Sequence, residues 1–387
     1  MRRLAIVASH PVQYQVPWFR ALAAEPGLEV EVLFGHYASG REQAAAGFGV
    51  EFDWDTPLLE GYPHRFLRNA AKEPSVNTFA GVDTPEIGDV LRTGRYDAVL
   101  VSGWHTRSYL QAMRACWREG RPVMVRSDSN LRNPRPWWLR LAKDLPWRYF
   151  IWRMDACLAA GTWSKDYFLY YGADPKRIFV VPHSTPVDPR CADVVSLRQA
   201  ARQRWGIPDD AFVALFAGKF IDVKRPLDFI RAVAASEGTV FGLLAGDGPL
   251  RRTAENLATA LAASVHFAGF LNQGEMGQAY AAADVLVLPS ERETWGLVVN
   301  EAMAWGLPCI VSSEVGCGPD LVDPGITGYV FPLDDVAGLA ALLRSAAADR
   351  LTVSELGRNA RRRIAGYTPH AAARATLDAV NGVLEQF

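Results

Sequence analysis

At 387 residues the chain is too long for one hydrophobic core of ordinary size, so two or more domains are expected. Apolar residues make up 49% and charged residues 21%, a globular composition that excludes disorder, and a net charge of -1 excludes a general polyanion binder, nucleic acid included. No apolar run reaches the ~20 residues that a spanning helix needs.

The N-terminus resembles a secretory leader only briefly. Its apolar stretch, Leu4–Ala8, ends in a His-Pro turn and reads as a first strand. Further strands are expected at Val30–Phe34, Ala98–Val101, Val123–Arg126 and Ala156–Ala160. A second series follows at Phe212–Ala217, Val240–Ala245, Val265–Phe267, Val285–Leu288 and Cys309–Ser312. Continuous apolar runs separated by helical stretches indicate parallel sheets covered on both faces. Between the series, residues 180–195 are proline-rich and without periodicity, which puts the domain junction near Val187. The expected division is 1–187 and 188–367, with a final helix over 368–387 packing back on the first domain. Five cysteines (116, 157, 191, 309, 317), odd in number and without a CxxC pair, suggest a reduced, cytoplasmic chain.

In the first half, the loop after the first strand carries His10, Gln13 and Tyr14. His105 ends another strand, and Arg126 and Asp128 end a third. Strand ends of doubly wound sheets are where ligands bind, so His105 is a candidate catalytic residue and His10, Gln13, Tyr14, Arg126 and Asp128 are acceptor-side candidates. The Asp-x-Asp in FDWD (52–55) lies outside any strand-end context and reads as an ordinary loop, not a metal site. Residues 131–155 interleave Trp137, Trp138, Trp147 and Trp152 with Arg135, Arg140, Lys143, Arg148 and Arg153. Such a segment can lie on a membrane interface, but Pro146 divides it and its tryptophans do not share a face, so a buried helix with cationic stems is preferred.

The second half carries most of the chemistry. Gly218-Lys219 ends a strand, with Lys224 and Arg225 close behind, a cationic cluster suited to a diphosphate. Gly246 and Gly248 line the next strand-to-helix turn, and Phe270 lies in a third turn whose backbone could read a nucleobase edge. The stretch PSERETWGLVVNEAMAWGLPCIVS (289–312) sets Glu293 and Glu301 about Thr294, Trp295, Gly296 and Leu297. The amides of residues 295–297 open a helix, where anions bind, and Glu301 is expected about two turns into it.

Residues 217–322 resemble the family 4 nucleotide-sugar glycosyltransferases through the glycine-cation segment, the GDGP turn, the E-x7-E signature and EAMAWGLPCIVSSEVGCGPDLV. The resemblance implies an α/β GT-B fold, two Rossmann-like doubly wound domains facing a shared cleft. It also implies a retaining sugar transfer from a nucleotide diphosphate sugar, UDP-linked ahead of GDP-linked. Under it, Glu293 contacts donor-sugar hydroxyls, Glu301 the ribose hydroxyls, His105 the sugar, and Lys219 and Lys224 the diphosphate. No metal and no cofactor are implied. The chain departs from the family pattern at Lys219, usually arginine, and in the 9–22 loop, which lacks a glycine pair. An alanine- and arginine-rich composition suggests a bacterial source, with a role in surface polysaccharide, glycolipid or secondary-metabolite glycoside biosynthesis and a small-molecule, glycan or glycolipid acceptor. The rival readings are a GT-B-fold nucleotide-sugar epimerase or hydrolase, and a nucleotide-sugar-binding protein without catalysis.

Overall fold

The computed structural model describes residues 1–43, 50–132, 137–185 and 193–386. The expected junction at Val187, with Arg135 and Cys191, lies outside the described residues. Strands β1 (Arg2–Ala8), β2 (Leu28–Phe34), β3 (His64–Phe66), β4 (Ala98–Val101), β5 (Val123–Ser127), β6 (Ala156–Ala159) and β7 (Ile178–Val180) form one parallel sheet, ordered 3-2-1-4-5-6-7. Strands β8 (Phe212–Ala217), β9 (Val240–Ala245), β10 (Val265–Gly269), β11 (Val285–Leu288), β12 (Cys309–Ser312) and β13 (Gly328–Phe331) form a second, ordered 10-9-8-11-12-13. Both orders are doubly wound, with a reversal of direction beside the first strand of each sheet.

Each sheet is buried on both faces because helices cover both. In β1, Leu4, Ile6 and Ala8 enter one core with Phe19, Leu22 and Val380, while Ala5 and Val7 enter another with Tyr109, Met113 and Phe168. In the second sheet, Phe212, Ala214 and Phe216 of β8 pack with Phe229, Ile230 and Leu339.

The strands not anticipated from sequence are β3, β7 and β13, and all are sheet edges. An edge strand has one pairing partner and a part-solvated face, so its apolar pattern is broken: His64 is half-buried and Arg65 and Phe66 are exposed, and Val180 is exposed. Three or four residues are too few to show a period.

The chain separates into two compact units that are not contiguous in sequence. One comprises residues 1–39 and 57–184 with everything from Tyr367 onward; the other comprises 40–56 and 185–366. The helix Pro369–Leu384 packs in the first unit, where Trp18 Nε1 donates to Thr376 Oγ1 at 3.3 Å. Residues 40–56, placed with the first half by sequence order, cluster instead with the second unit. Contacts decide that assignment: Asp55 Oδ2 accepts the Gly274 amide at 2.8 Å, and Phe52 lies 4.3 Å from Phe270 between ring centroids.

The basic, tryptophan-rich segment forms the helix Trp137–Trp152 with Pro146 inside it. Side chains 137–143, Trp137, Trp138, Arg140 and Lys143 among them, lie outside the described residues. Trp147 turns inward and donates to Tyr167 Oη at 2.7 Å, whereas Leu145, Tyr149 and Trp152 are exposed. Among the described residues, no helix is long and apolar enough to cross a membrane. Cys116, Cys157, Cys309 and Cys317 are buried, and burial raises each thiol's pKa.

At the amino ends of β8 and β11 a buried guanidinium ties the second unit together. Arg202, 2% exposed, donates to the carbonyls of Ala282 (3.1 Å), Pro208 (3.2 Å), Asp209 (2.8 Å) and Ala211 (3.1 Å). It also donates to Asp284 at 3.1 Å, whose carboxylate in turn accepts from Arg198 at 2.6 Å and from the Val213 amide at 2.8 Å. The helix Val194–Arg204 is thereby seated against the sheet it precedes. Removing one partner of a buried charged network leaves the others desolvated and unsatisfied. Arg202→Ala should therefore destabilise the chain by roughly 3–5 kcal/mol, read as a lower urea midpoint at unchanged slope; a shift below about 1 kcal/mol would mean that water replaces the guanidinium at little cost.

Candidate functional site

In the second sheet the order reverses between β8 and β11, and the loops after these strands carry the site residues. Gly218 and Lys219 follow β8, and a short 3-10 turn at Asp222–Lys224 presents Lys224. Glu293 lies in the loop after β11, and its carboxylate is ion-paired with the Lys224 ammonium. The loop is braced from behind: the Glu293 amide donates to Glu314 O at 3.3 Å, Gly316 N to Glu293 O at 3.0 Å and Cys317 N to Trp295 O at 2.8 Å.

Arg225 belongs to the scaffold rather than to the cationic cluster. It adopts a left-handed backbone (φ 54°), and its guanidinium is taken up by Asp228 at 3.3 Å, Glu291 at 3.1 Å and Asp334 at 2.9 Å. Of the three cations in that cluster, Lys219 and Lys224 stand outside this scaffold. Partial burial lowers the pKa of Lys219, the nearby Lys224 lowers it further, and Glu293 opposes both.

Gly246 lets two backbone segments approach closely. Its φ is 139°, and a Cβ there would sit 1.9 Å from the Gly218 carbonyl oxygen. The glycine admits the neighbouring backbone of the cationic loop and so positions Gly218 and Lys219.

Gly296, also left-handed (φ 99°), is the N-cap of the helix Leu297–Ala304. Thr294 is exposed ahead of it, while Trp295 is 4% exposed and anchors through Nε1 to Asn300 Oδ1 at 2.9 Å. Trp295 thus offers the site its backbone, not its ring. Glu301 is the fifth residue of this helix, one turn in rather than the two expected, because the count runs from Leu297, where the helix begins, and not from Glu293 in the loop. Its Oε2 accepts from Tyr280 Oη at 2.5 Å and its Oε1 from Gln273 Nε2 at 3.4 Å. Burial raises the Glu301 pKa, and these two donors partly offset the rise. The carboxylate is held in one rotamer before any ligand is considered.

Phe270, just after β10, is half-buried against Phe52. Asp55 of FDWD is a capping residue: its carboxylate takes an amide of the first turn of the helix Gln273–Ala282, whose N-cap Asn272 donates to Asp53 O at 2.8 Å.

In the first unit a cavity of about 340 Å³ opens at the carboxyl ends of β1, β4 and β5, beside the reversal between β1 and β4. His10, Tyr14, His105, Arg126 and Asp128 all line it. Gln13 does not, and Gln15 does: the turn closed by Gln15 N to Val12 O at 2.9 Å brings Gln15 back to the wall. His10 Nδ1 lies 2.9 Å from Ser9 Oγ. Arg126 is 8% exposed, stacks 4.7 Å above Trp18 and donates to Val181 O at 3.3 Å. Its Nε and Ser102 Oγ, both in cavity-lining residues, are buried without a hydrogen-bond partner.

His183, which the sequence reading passed over, sits opposite with Nδ1 3.4 Å from Arg126 and Nε2 3.8 Å from Asp128. Burial lowers its pKa, and the Arg126 charge lowers it again against the pull of Asp128. His105 stands at the rim, partly in solvent; what burial it has lowers its pKa, and Asp128 opposes that. Tyr14 is pushed up to about 12, first by burial and then by Asp128. The cavity is therefore lined by neutral hydrogen-bonding rings around one buried cation and one carboxylate. Recognising β7 as a strand would have exposed His183 as a strand-end histidine, since it follows β7 as His105 follows β4. Tyr280 and Gln273 carried no comparable signal, being joined to Glu301 only through the fold.

Residues 12–183 match the family model described as a glycosyl transferase 4-like domain, and residues 198–363 the one described as glycosyl transferases group 1. The sulfoquinovosyl transferase SQD2 of Arabidopsis thaliana is 38% identical over 155 residues, covering 39% of this chain and 30% of that protein. The D-inositol 3-phosphate glycosyltransferase of Streptomyces bingchenggensis (strain BCW-1) is 35% identical over 224 residues, covering 54% and 48%. The chain thus aligns with less than half the length of these curated relatives. Among solved structures, Anabaena Alr3699/HepE in complex with UDP and glucose is similar at a TM-score of 0.72 and 18% identity, over 98% of this chain and 100% of that one. Sucrose-phosphate synthase from Thermosynechococcus elongatus is similar at a TM-score of 0.72 and 19% identity, over 100% of both chains. At these identities the likeness is one of fold, and that fold is GT-B.

The depressed pKa of Lys219 has a direct chemical consequence. A lowered ammonium pKa means that the neutral, nucleophilic amine is reached at lower pH. In a pH series of limiting acylation read by peptide mass spectrometry, the Lys219 midpoint should fall below that of exposed lysines; a coincident midpoint would show that Glu293 cancels the effect of burial.

Proposed function

Because this chain belongs to the group 1 glycosyl transferases, with a 4-like domain in its first half, we propose that it transfers a sugar from a nucleotide diphosphate to an acceptor hydroxyl with retention at the anomeric carbon. The observation that carries this reading is the Lys219, Lys224, Glu293 and Glu301 constellation around the reversal point of the second sheet. A diphosphate needs cations without a covalent partner, and Lys219 with Lys224 supplies them next to the amides that open the helix Leu297–Ala304. In this reading Glu293, paired with Lys224, accepts from sugar hydroxyls adjoining that diphosphate. Glu301, fixed by Tyr280 and Gln273, accepts from the ribose diol on its remaining lone pairs. Since HepE is described in complex with UDP and with UDP-glucose, a UDP-sugar is the donor we favour over a GDP-sugar.

In this reading the acceptor oxygen attacks the anomeric carbon on the face from which the phosphate departs. The bond from that carbon to phosphate oxygen breaks, and the departing oxygen takes the acceptor proton. Lys219 and Lys224 stabilise the charge that develops on the diphosphate. No metal enters the scheme. The cavity of the first unit takes the acceptor: its volume falls in the small-molecule range, and Ser102 Oγ and Arg126 Nε have hydrogen-bonding capacity that no protein group uses. His105 and His183, both shifted toward the neutral form, offer hydrogen bonds to acceptor hydroxyls beside these groups.

Glu293→Ala should lower transfer by on the order of 10²–10³-fold while leaving the nucleotide Kd within a few-fold, because it removes a sugar contact and frees Lys224. Equal loss of both would move Glu293 from the sugar to the scaffold. Treatment with EDTA should leave turnover unchanged; loss restored by Mg²⁺ or Mn²⁺ would overturn the metal-free scheme. Incubation with donor alone separates the remaining readings, since an epimerase or hydrolase forms product without acceptor and a transferase requires one.

A further inference from the structure

Residues 40–56 belong with the second unit, and Phe52 to Asp55 lie against the turn that follows β10. Two kinds of contact hold them there. Asp55 caps the helix Gln273–Ala282 through the Gly274 amide at 2.8 Å, and Asn272 Nδ2 returns a bond to Asp53 O at 2.8 Å. Phe52 packs on Phe270 at 4.3 Å with its ring tilted 37°, and Trp54 meets Phe52 edge-on at 4.8 Å.

Phe52, Trp54 and Phe270 are all only half-buried. Three aromatic rings gathered at the carboxyl edge of a parallel sheet, each with surface left over, have the make-up of a small-molecule wall. Its position is fixed relative to Glu301. Gln273, which donates to Glu301 Oε1 at 3.4 Å, directly follows Asn272, and Phe270 lies three residues before it. If Glu301 holds the ribose, the base attached to that ribose extends to the Phe270 turn.

We propose that Phe52, held in place by the Asp55 latch, forms with Phe270 the wall against which the donor's nucleobase rests, so that base selection depends in part on a segment from the first half of the sequence. This rests on the nucleotide-sugar reading given above. Without residues 52–55, Phe270 would lose its contact with the Phe52 ring. With the strap in place it presents a braced aromatic surface, and Trp54 limits how far Phe52 can rotate.

The test is calorimetric binding of UDP, GDP and inorganic pyrophosphate to the full chain and two variants. Phe52→Ala removes the ring. Gly274→Ala leaves the helix intact, alanine being the better helix former, but its Cβ would sit 2.8 Å from Asp55 Oδ2 and displace the latch. Both variants should weaken the preferred nucleoside diphosphate by on the order of tenfold, as loss of an aromatic stacking partner does, and leave pyrophosphate binding unchanged. Wild-type affinity for the nucleotide in both variants, or an equal loss of pyrophosphate, would overturn the proposal. A wild-type chain that binds neither nucleotide more tightly than pyrophosphate would instead sink the donor reading on which the proposal stands.

Discussion

The ion pair between Lys224 and Glu293 joins the loops on either side of the reversal in the second sheet. Its side chains are 21% and 14% exposed, so it is too solvent-shielded to be a surface ornament, and a partly desolvated pair is weak evidence for stability. Its importance is positional. A carboxylate suited to hydroxyl groups and an ammonium suited to phosphate are held side by side, as neighbouring parts of one ligand require. The pairing also tempers the field at the strand ends, because Glu293 offsets much of the charge of Lys224. Lys219 and the amides at the start of the helix Leu297–Ala304 must then carry a large share of any anion binding.

The scaffold behind that pair is made largely of backbone. Gly246 gives way to the Gly218 carbonyl, and Gly316 and Cys317 donate to the Glu293 loop. Such contacts leave little room for substitution, which is why glycine recurs around these loops. The Arg202 network secures the opposite end of the same strands with side chains, where no ligand needs access.

What could be read from the sequence follows from where each signal is stored. Central strands such as β4, β8 and β11 are wholly buried, and β1 is buried from Leu4 to Ala8, so their apolar runs stand out without a structure. Glu293 and Glu301 were legible because the spacing that relates them is local to one loop and one helix. The edge strands β3, β7 and β13 were not, since half-solvated residues carry no pattern, and His183 was lost along with β7. Long-range partners were invisible for a different reason. Tyr280 meets Glu301, and Asp55 meets Gly274, only after the chain has folded, and no periodicity records that. Gln13 and Gln15 show the same limit at short range, where one turn decides which of two like residues reaches the cavity.

The two units are each assembled from separated stretches of chain. The helix Pro369–Leu384 brings Ala373, Ala379, Val380 and Val383 to the core around β1, and the Gly40–Thr56 segment is inserted in the first unit's sequence but packs with the second. No single cut therefore yields two complete halves. A fragment ending in the interdomain stretch would lack part of its own core, and the remainder would lack its strap. Genetic exchange of one half for that of a relative would face the same obstacle, because a new second half must arrive with a matching final helix and must accept a foreign Phe52 and Asp55. The threading thus binds the history of the two halves together, so that the segment touching Phe270 and the loop bearing Phe270 are expected to change in concert.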